Sequence, residues 1–137
     1  EDRHVAVPRA VSDAVGLLCG SAGITKIVAV TISGFAARMV ASQLPRQPIL
    51  AVTNDAANAR LFNLLPGVTG VHIDMAFSRS SIDHITQCLE CLWRRDLVHD
   101  ADMVLVVAVG YPHPGKRMNV LQIHQIGELR AALGWSM

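Results

Sequence analysis

The chain has 137 residues, 51% of them hydrophobic and 17% charged, with a formal net charge of +1. This length is enough for one domain around one core, and this composition excludes a disordered chain. The near-neutral charge gives no footprint for nucleic acid or an anionic membrane.

In chain order, apolar residues from Val11 to Leu18 predict a helix, with Gly20 and Gly23 near its end. Lys26 to Thr31 is a buried strand of mostly β-branched residues. Phe35 to Leu44 reads as a helix stopped before Pro45. Pro48 to Thr53 is a second strand. Asn54 or Asp55 then caps a helix from Ala56 to Leu64, and Pro66-Gly67 stops it. Val68 to Ile73 is a third strand.

Ser80 or Ser81 caps a long helix from Ile82 to about Arg95, whose apolar stripe is Ile82, Ile85, Leu89, Leu92 and Trp93. Met103 to Val109 is a fourth strand, and a loop rich in Gly and Pro runs from Gly110 to Met118. A last strand covers about Val120 to Ile126, with a terminal helix from Glu128 to Leu133. Strands alternating with helices imply a parallel sheet covered on both faces. The last connection is too short for a crossover helix, so the fifth strand is expected to return antiparallel at the sheet edge. The fold class is therefore α/β: one domain over residues 1–137, a three-layer α/β/α sandwich on a five-stranded, mostly parallel sheet.

The longest apolar run, Met103 to Val109, is too short to cross a bilayer, and no signal-peptide core follows the charged or polar residues 1 to 4. Cys19, Cys88 and Cys91 cannot all pair in one chain, which fits a reducing cytoplasm. The first residue is Glu rather than Met, as in a piece of a longer chain.

Gly20 to Lys26 lacks the GK[ST] ending of a Walker loop and precedes a strand, so it reads as a helix stop. His84, Cys88 and Cys91 lie along one helix flank, yet a fourth metal ligand is missing, and small thiols beside an apolar stripe are the plainer reading. His72 and Asp74 would share a strand face as surface decoration. No catalytic residue and no metal site is expected. The turn Thr31-Ile32-Ser33-Gly34 is the stronger signal. In open α/β sheets ligands bind beyond the carboxyl ends of the strands, where the following helix presents free N–H groups. Thr53-Asn54 and the Gly110–Met118 loop should reach the same edge. The plain alternative is that Ser33 caps the helix and Gly34 permits the turn.

The stretch "KIVAVTISGFAARMVASQLPRQPILAVTNDAANARLFNLLPGV" resembles the C-terminal domain of pyruvate kinase. The family pattern, T-x-S-G-x-[ST]-A and then P-I-[LI]-A-[VL]-T, appears as Thr31, Ser33-Gly34, Ala37 and Pro48 to Thr53. Ala59-Arg60 and Gly67-Val68 match its next helix and stop, and "LVHDADMVLVVAVG" and "PGKRMNVLQI" are similar to its last two strands. The resemblance runs from about Pro8 to Ile126 and implies a regulatory and subunit-contact domain of a glycolytic enzyme; the alternatives are a free-standing, non-catalytic phosphometabolite-binding module and an oligomerisation scaffold with a decayed effector site. The catalytic (β/α)8 barrel, with its Mg²⁺, K⁺, phosphoenolpyruvate and ADP, would lie elsewhere; such a barrel takes roughly 200 residues or more. No cofactor is implied for this chain itself.

The resemblance also implies a phosphate or sugar-phosphate effector site built from Thr31, Ser33, Gly34, Phe35 and Ala36, with Lys116 and Arg117 from the closing loop. Ile32 and Ala36 stand where effector-binding members carry basic and hydroxyl residues, Phe35 where a polar or basic one is common, Tyr111 where Trp is frequent, and Ala101 where Gly precedes the aspartate. Weak anion binding is therefore expected, in the millimolar range. A homodimer is expected through the Val120–Ile126 edge strand, whose apolar residues carry no Pro or Lys.

Overall fold

The computed structural model describes residues 3–21, 23–31, 34–77, 83–108 and 120–137, with side chains from residue 9 onward. Its helices are α1 (Arg3–Ser21), α2 (Phe35–Ala41), α3 (Ala56–Phe62), α4 (Asp83–Arg94) and α5 (Ile126–Leu133). Its strands are β1 (Lys26–Val30), β2 (Ile49–Thr53), β3 (Val68–His72), β4 (Met103–Ala108) and β5 (Val120–Gln125). They form one sheet in the order β3-β2-β1-β4-β5. The first four strands are parallel, and β5 returns antiparallel beside β4, with Val104 opposite His124 and Val106 opposite Gln122.

Alternation along each strand feeds two apolar layers. Ile27, Ala29, Ile49, Ala51, Leu105 and Val107 meet Val15 of α1, Ala37 and Val40 of α2 and Phe62 of α3. Val28, Val30, Val52, Val71, Val104 and Val106 meet Ile85, Leu89 and Leu92 of α4, and Ile126 and Trp135 at the C-terminal end. The molecule is thus the three-layer α/β/α sandwich that the strand-helix alternation predicts.

Several boundaries differ from the sequence reading. The first helix is longer than its apolar stripe. Helix α2 ends at Ala41, three residues early: Gln43 and Leu44 donate to the carbonyls of Val40 and Ala41, and Leu44 takes a left-handed φ of 49°. That tightened exit satisfies the last carbonyls and delivers the chain to Pro45. Helix α3 is capped by Asp55, whose carboxylate accepts from Asn58 N–H at 3.0 Å, and stops at Phe62 through the same kind of tightening at Asn63 and Leu64. Asp74 lies beyond β3 and shares no strand face with His72. Ile126 does not close the last strand. It opens α5, fully buried, and the Gln125 side chain caps that helix by accepting from Glu128 N–H at 2.7 Å. The Ser80 or Ser81 cap, Ile82, Val109 and the Gly110–Met118 loop with Tyr111 lie outside the described residues.

Candidate anion site at the first strand-to-helix turn

Strands β1 and β2 are parallel and in register, Val30 opposite Val52, so their carboxyl ends reach one edge together. Thr31 extends the ladder by one rung, donating its N–H to Val52 O at 2.9 Å. Its side chain turns inward, and the buried Oγ1 accepts from Gly34 N–H at 2.9 Å. This bond closes the turn and orients the start of α2. It also occupies one of the N–H groups the sequence offered to a ligand.

Gly34 is the N-cap of α2, with φ 91° and no side-chain cap. Space is as restrictive as conformation there. A Cβ on Gly34 would lie 2.5 Å from Phe62 Cε1 and 2.9 Å from Arg38 Nη1. Phe62 arrives from α3, so the turn rests on a ring from a different element. Phe35 is half-buried and packs toward the α1/α2 core, and Ala36 is fully buried within it. Neither side chain is placed to meet an anion. The backbone of the turn offers the first-turn N–H groups of α2 and the positive end of its dipole, modest for a helix this short.

The structure brings Thr31, Gly34, Phe35 and Ala36 together. Ser33, Lys116 and Arg117 lie outside the described residues. Sequence reasoning missed Arg38, whose guanidinium reaches back over Gly34 one turn upstream. The signal was available: side chains on a helix lean toward its N-terminus, so a basic residue at i+4 from the turn glycine returns to the turn. Beside it, Thr53 Oγ1 accepts from Asp55 N–H at 3.2 Å and the Asn54 amide donates to Met75 O at 3.2 Å, so the end of β2 is occupied with its own turn.

Cys19, Cys88 and Cys91 are free thiols. Burial pushes Cys88 up to about 12, with Cys91 adding to the effect, and burial likewise raises Cys19. Such thiols are poor nucleophiles and poor metal ligands at neutral pH. Among the described residues no three His, Cys, Asp or Glu side chains converge to hold a metal ion. Among them, too, no helix is long and apolar enough to cross a membrane.

The fold and the turn define a class: a doubly wound α/β domain with a strand–turn–helix at the carboxyl edge of its sheet and no catalytic constellation among the described residues. Residues 9–124 match the family described as pyruvate kinase, alpha/beta domain. The chain belongs to that family. It is 28% identical over 131 residues to pyruvate kinase of Sporosarcina psychrophila, covering 95% of this chain and 22% of that protein. It is 26% identical over 132 residues to pyruvate kinase of Geobacillus stearothermophilus, covering 96% of this chain and again 22% of the relative. The crystal structure of a pyruvate kinase from Cryptosporidium parvum shares the fold, with a TM-score of 0.68 and 24% identity, over 90% of this chain and 23% of that one. The chain thus spans about a fifth of the length of the relatives it matches.

Proposed function

We propose that this chain is the regulatory and subunit-contact end of a pyruvate kinase. The parent reaction moves phosphate from phosphoenolpyruvate to ADP, giving pyruvate and ATP, on a catalytic barrel outside these 137 residues. Mg²⁺ and K⁺ would belong to that barrel. The observation that carries the reading is the extent of the family match, residues 9–124, which takes in β1 to β4 whole, β5 as far as His124 and the phosphate-type turn.

Two duties make up this reading. The first is self-association. Strand β5 is a sheet edge, and Ile123 on it is 42% exposed. An apolar edge with unpaired N–H and C=O groups favours a second copy of itself across a two-fold axis. The second is binding a phosphate or sugar-phosphate effector at the Thr31–Ala36 turn, with Lys116 and Arg117 proposed as its cationic partners. Here the donors are chiefly backbone, because Phe35 and Ala36 face the core. Charge-assisted hydrogen bonds are roughly twice as strong as neutral ones, so their scarcity keeps affinity in the millimolar range.

The test is calorimetric titration of phosphate, ribose 5-phosphate and fructose bisphosphate into the wild type and a Lys116→Ala/Arg117→Ala variant. Weak binding of all three, lost in the variant, supports the effector role. Complete absence of anion binding would leave subunit contact as the domain's sole proposed duty.

A further inference from the structure

His84 is the second residue of α4, and it is 6% exposed. Its ring stacks on Phe77, centroid to centroid 5.1 Å and 18° from parallel. Among the described residues its Nδ1 is the buried side-chain atom left with no hydrogen-bond partner. Buried polar atoms nearly always find one, so this position asks for an account.

Among the described residues, the surroundings of the ring are apolar. Ile85, Cys88 and Leu89 on the same helix are fully buried in the core, and Met75 and Phe77 pack against that core from the residues after β3. Among the described residues, the titratable groups of these elements are few. Asp83 precedes the ring and is exposed, Cys88 one turn on is a neutral thiol, and His72 and Asp74 are both exposed.

We propose that His84 is an acid-sensitive latch, whose protonation expels the ring from its stack on Phe77 and frees the first turn of α4 from the sheet. A neutral imidazole has one donor and one acceptor, whereas the imidazolium has two donors. Protonated in place, His84 would hold a charged N–H at Nδ1 facing no acceptor, a costly burial. The positive end of the α4 dipole opposes the charge as well. Asp83 pulls the other way, but from an exposed position where solvent screens it.

Desolvation outweighs Asp83, so the folded-state pKa lies below the ordinary histidine value. The direction of the pH effect follows. An opened His84 takes its proton near pH 6.5, while the closed one resists to a lower pH. The closed state therefore loses stability as pH falls below about 6.5 and levels off beneath the folded pKa.

The experiment is amide hydrogen exchange on the whole chain at about pH 5 and about pH 7.5, corrected for intrinsic rates. Protection at residues 87–89, whose N–H groups bond back to the first turn of α4, should fall at least about tenfold at acid pH relative to β1 and β4. His84→Phe, which keeps the stack and removes the proton, should abolish that fall. No fall in the wild type, or an equal fall in the variant, overturns the proposal. So does a fall confined to β5, where burial also lowers His124. Should His84→Phe not fold, NMR titration of the wild-type imidazole decides. A midpoint below the usual value, with loss of the Phe77 ring-current shift, supports the latch, and a midpoint at or above it sinks the idea.

Discussion

Asp102 at the foot of β4 holds Lys26 at the foot of β1 in an ion pair of 3.1 Å, Nζ to Oδ2. The carboxylate also accepts from the Thr25 hydroxyl at 2.8 Å and from His99 N–H at 2.8 Å, and Lys26 donates to Leu97 O at 2.9 Å. One side chain thus joins the two central strands of the sheet and the turn before β4. Burial alone would raise the Asp102 pKa, but the bonds from His99, Thr25 and Lys26 and the Lys26 charge more than reverse it, leaving the carboxyl below its usual range.

Asp102→Ala leaves three donors without their acceptor, one of them charged. Thr25 and His99 are exposed and Lys26 keeps the Leu97 carbonyl, so a loss of about 0.5–1.5 kcal/mol is expected, the net worth of a hydrogen bond. Because the folded pKa is depressed, the wild-type contribution is complete above the unfolded value near 4 and is lost as pH falls through the folded one. Urea unfolding midpoints at neutral pH and in acid check both statements. A variant as stable as the wild type at neutral pH would show that the network contributes nothing net.

Gly34→Ala should be strongly destabilising. A non-glycine residue held at left-handed φ costs on the order of 1–3 kcal/mol, and here the new methyl also meets Phe62 and Arg38. A double-mutant cycle separates the two causes. Adding Phe62→Leu should recover the steric part and leave the conformational part. If the double variant is no better than the sum of the singles, the ring is not what excludes the methyl.

Ile123→Lys tests the edge. The residue is exposed on β5, so the monomer should fold and melt as before. Lysine on an edge strand blunts pairing between copies. Light scattering should find the wild type dimeric at high micromolar concentration and the variant monomeric. A strictly monomeric wild type would remove the subunit-contact duty from the isolated chain.

The purified 137-residue chain should transfer no phosphate from phosphoenolpyruvate to ADP. A (β/α)8 barrel takes roughly 200 residues or more, and the match, over 95% of this chain, covers only 22% of the relative's length. A coupled assay for pyruvate, with Mg²⁺ and K⁺ present, should read background. Turnover above background that co-purifies with the chain would overturn the reading of it as a non-catalytic domain.

The fold was legible because its information is local and periodic. Ile27 to Val30 and Met103 to Ala108 are apolar on both faces, as strands between two helical layers must be. The return of β5 was readable from the shortness of the connection after Val109. Boundaries were less so. Leu44 continues the apolar pattern of α2, yet the chain leaves the helix before it because Pro45 cannot follow. Ile126 fits a strand or a helix equally by its own character, and the Gln125 cap decides.

At the turn, Thr31 and Gly34 could be picked out by residue type. Their partners could not. The bond from Gly34 N–H to Thr31 Oγ1, the Phe62 ring beneath the turn and the return of Arg38 over it are tertiary arrangements. Together they change the turn from an open cradle of donors into one partly filled by the protein's own atoms.

The strand order has a kinetic consequence. The first three strands in sequence, β1, β2 and β3, are neighbours in space and joined by short helices, so they can assemble from the N-terminal half alone. The free border of that half-sheet is β1, the strand destined for the centre, with Ile27 to Val30 almost wholly apolar and no charge beyond Lys26 to discourage a wrong partner. Its proper neighbour begins at Met103, as far along the chain as the Thr25–Asp102 bond, a separation of 77 residues. Ordering so long an intervening segment is slow. Until it is done, the most aggregation-prone border of the molecule is the one that the finished protein never shows.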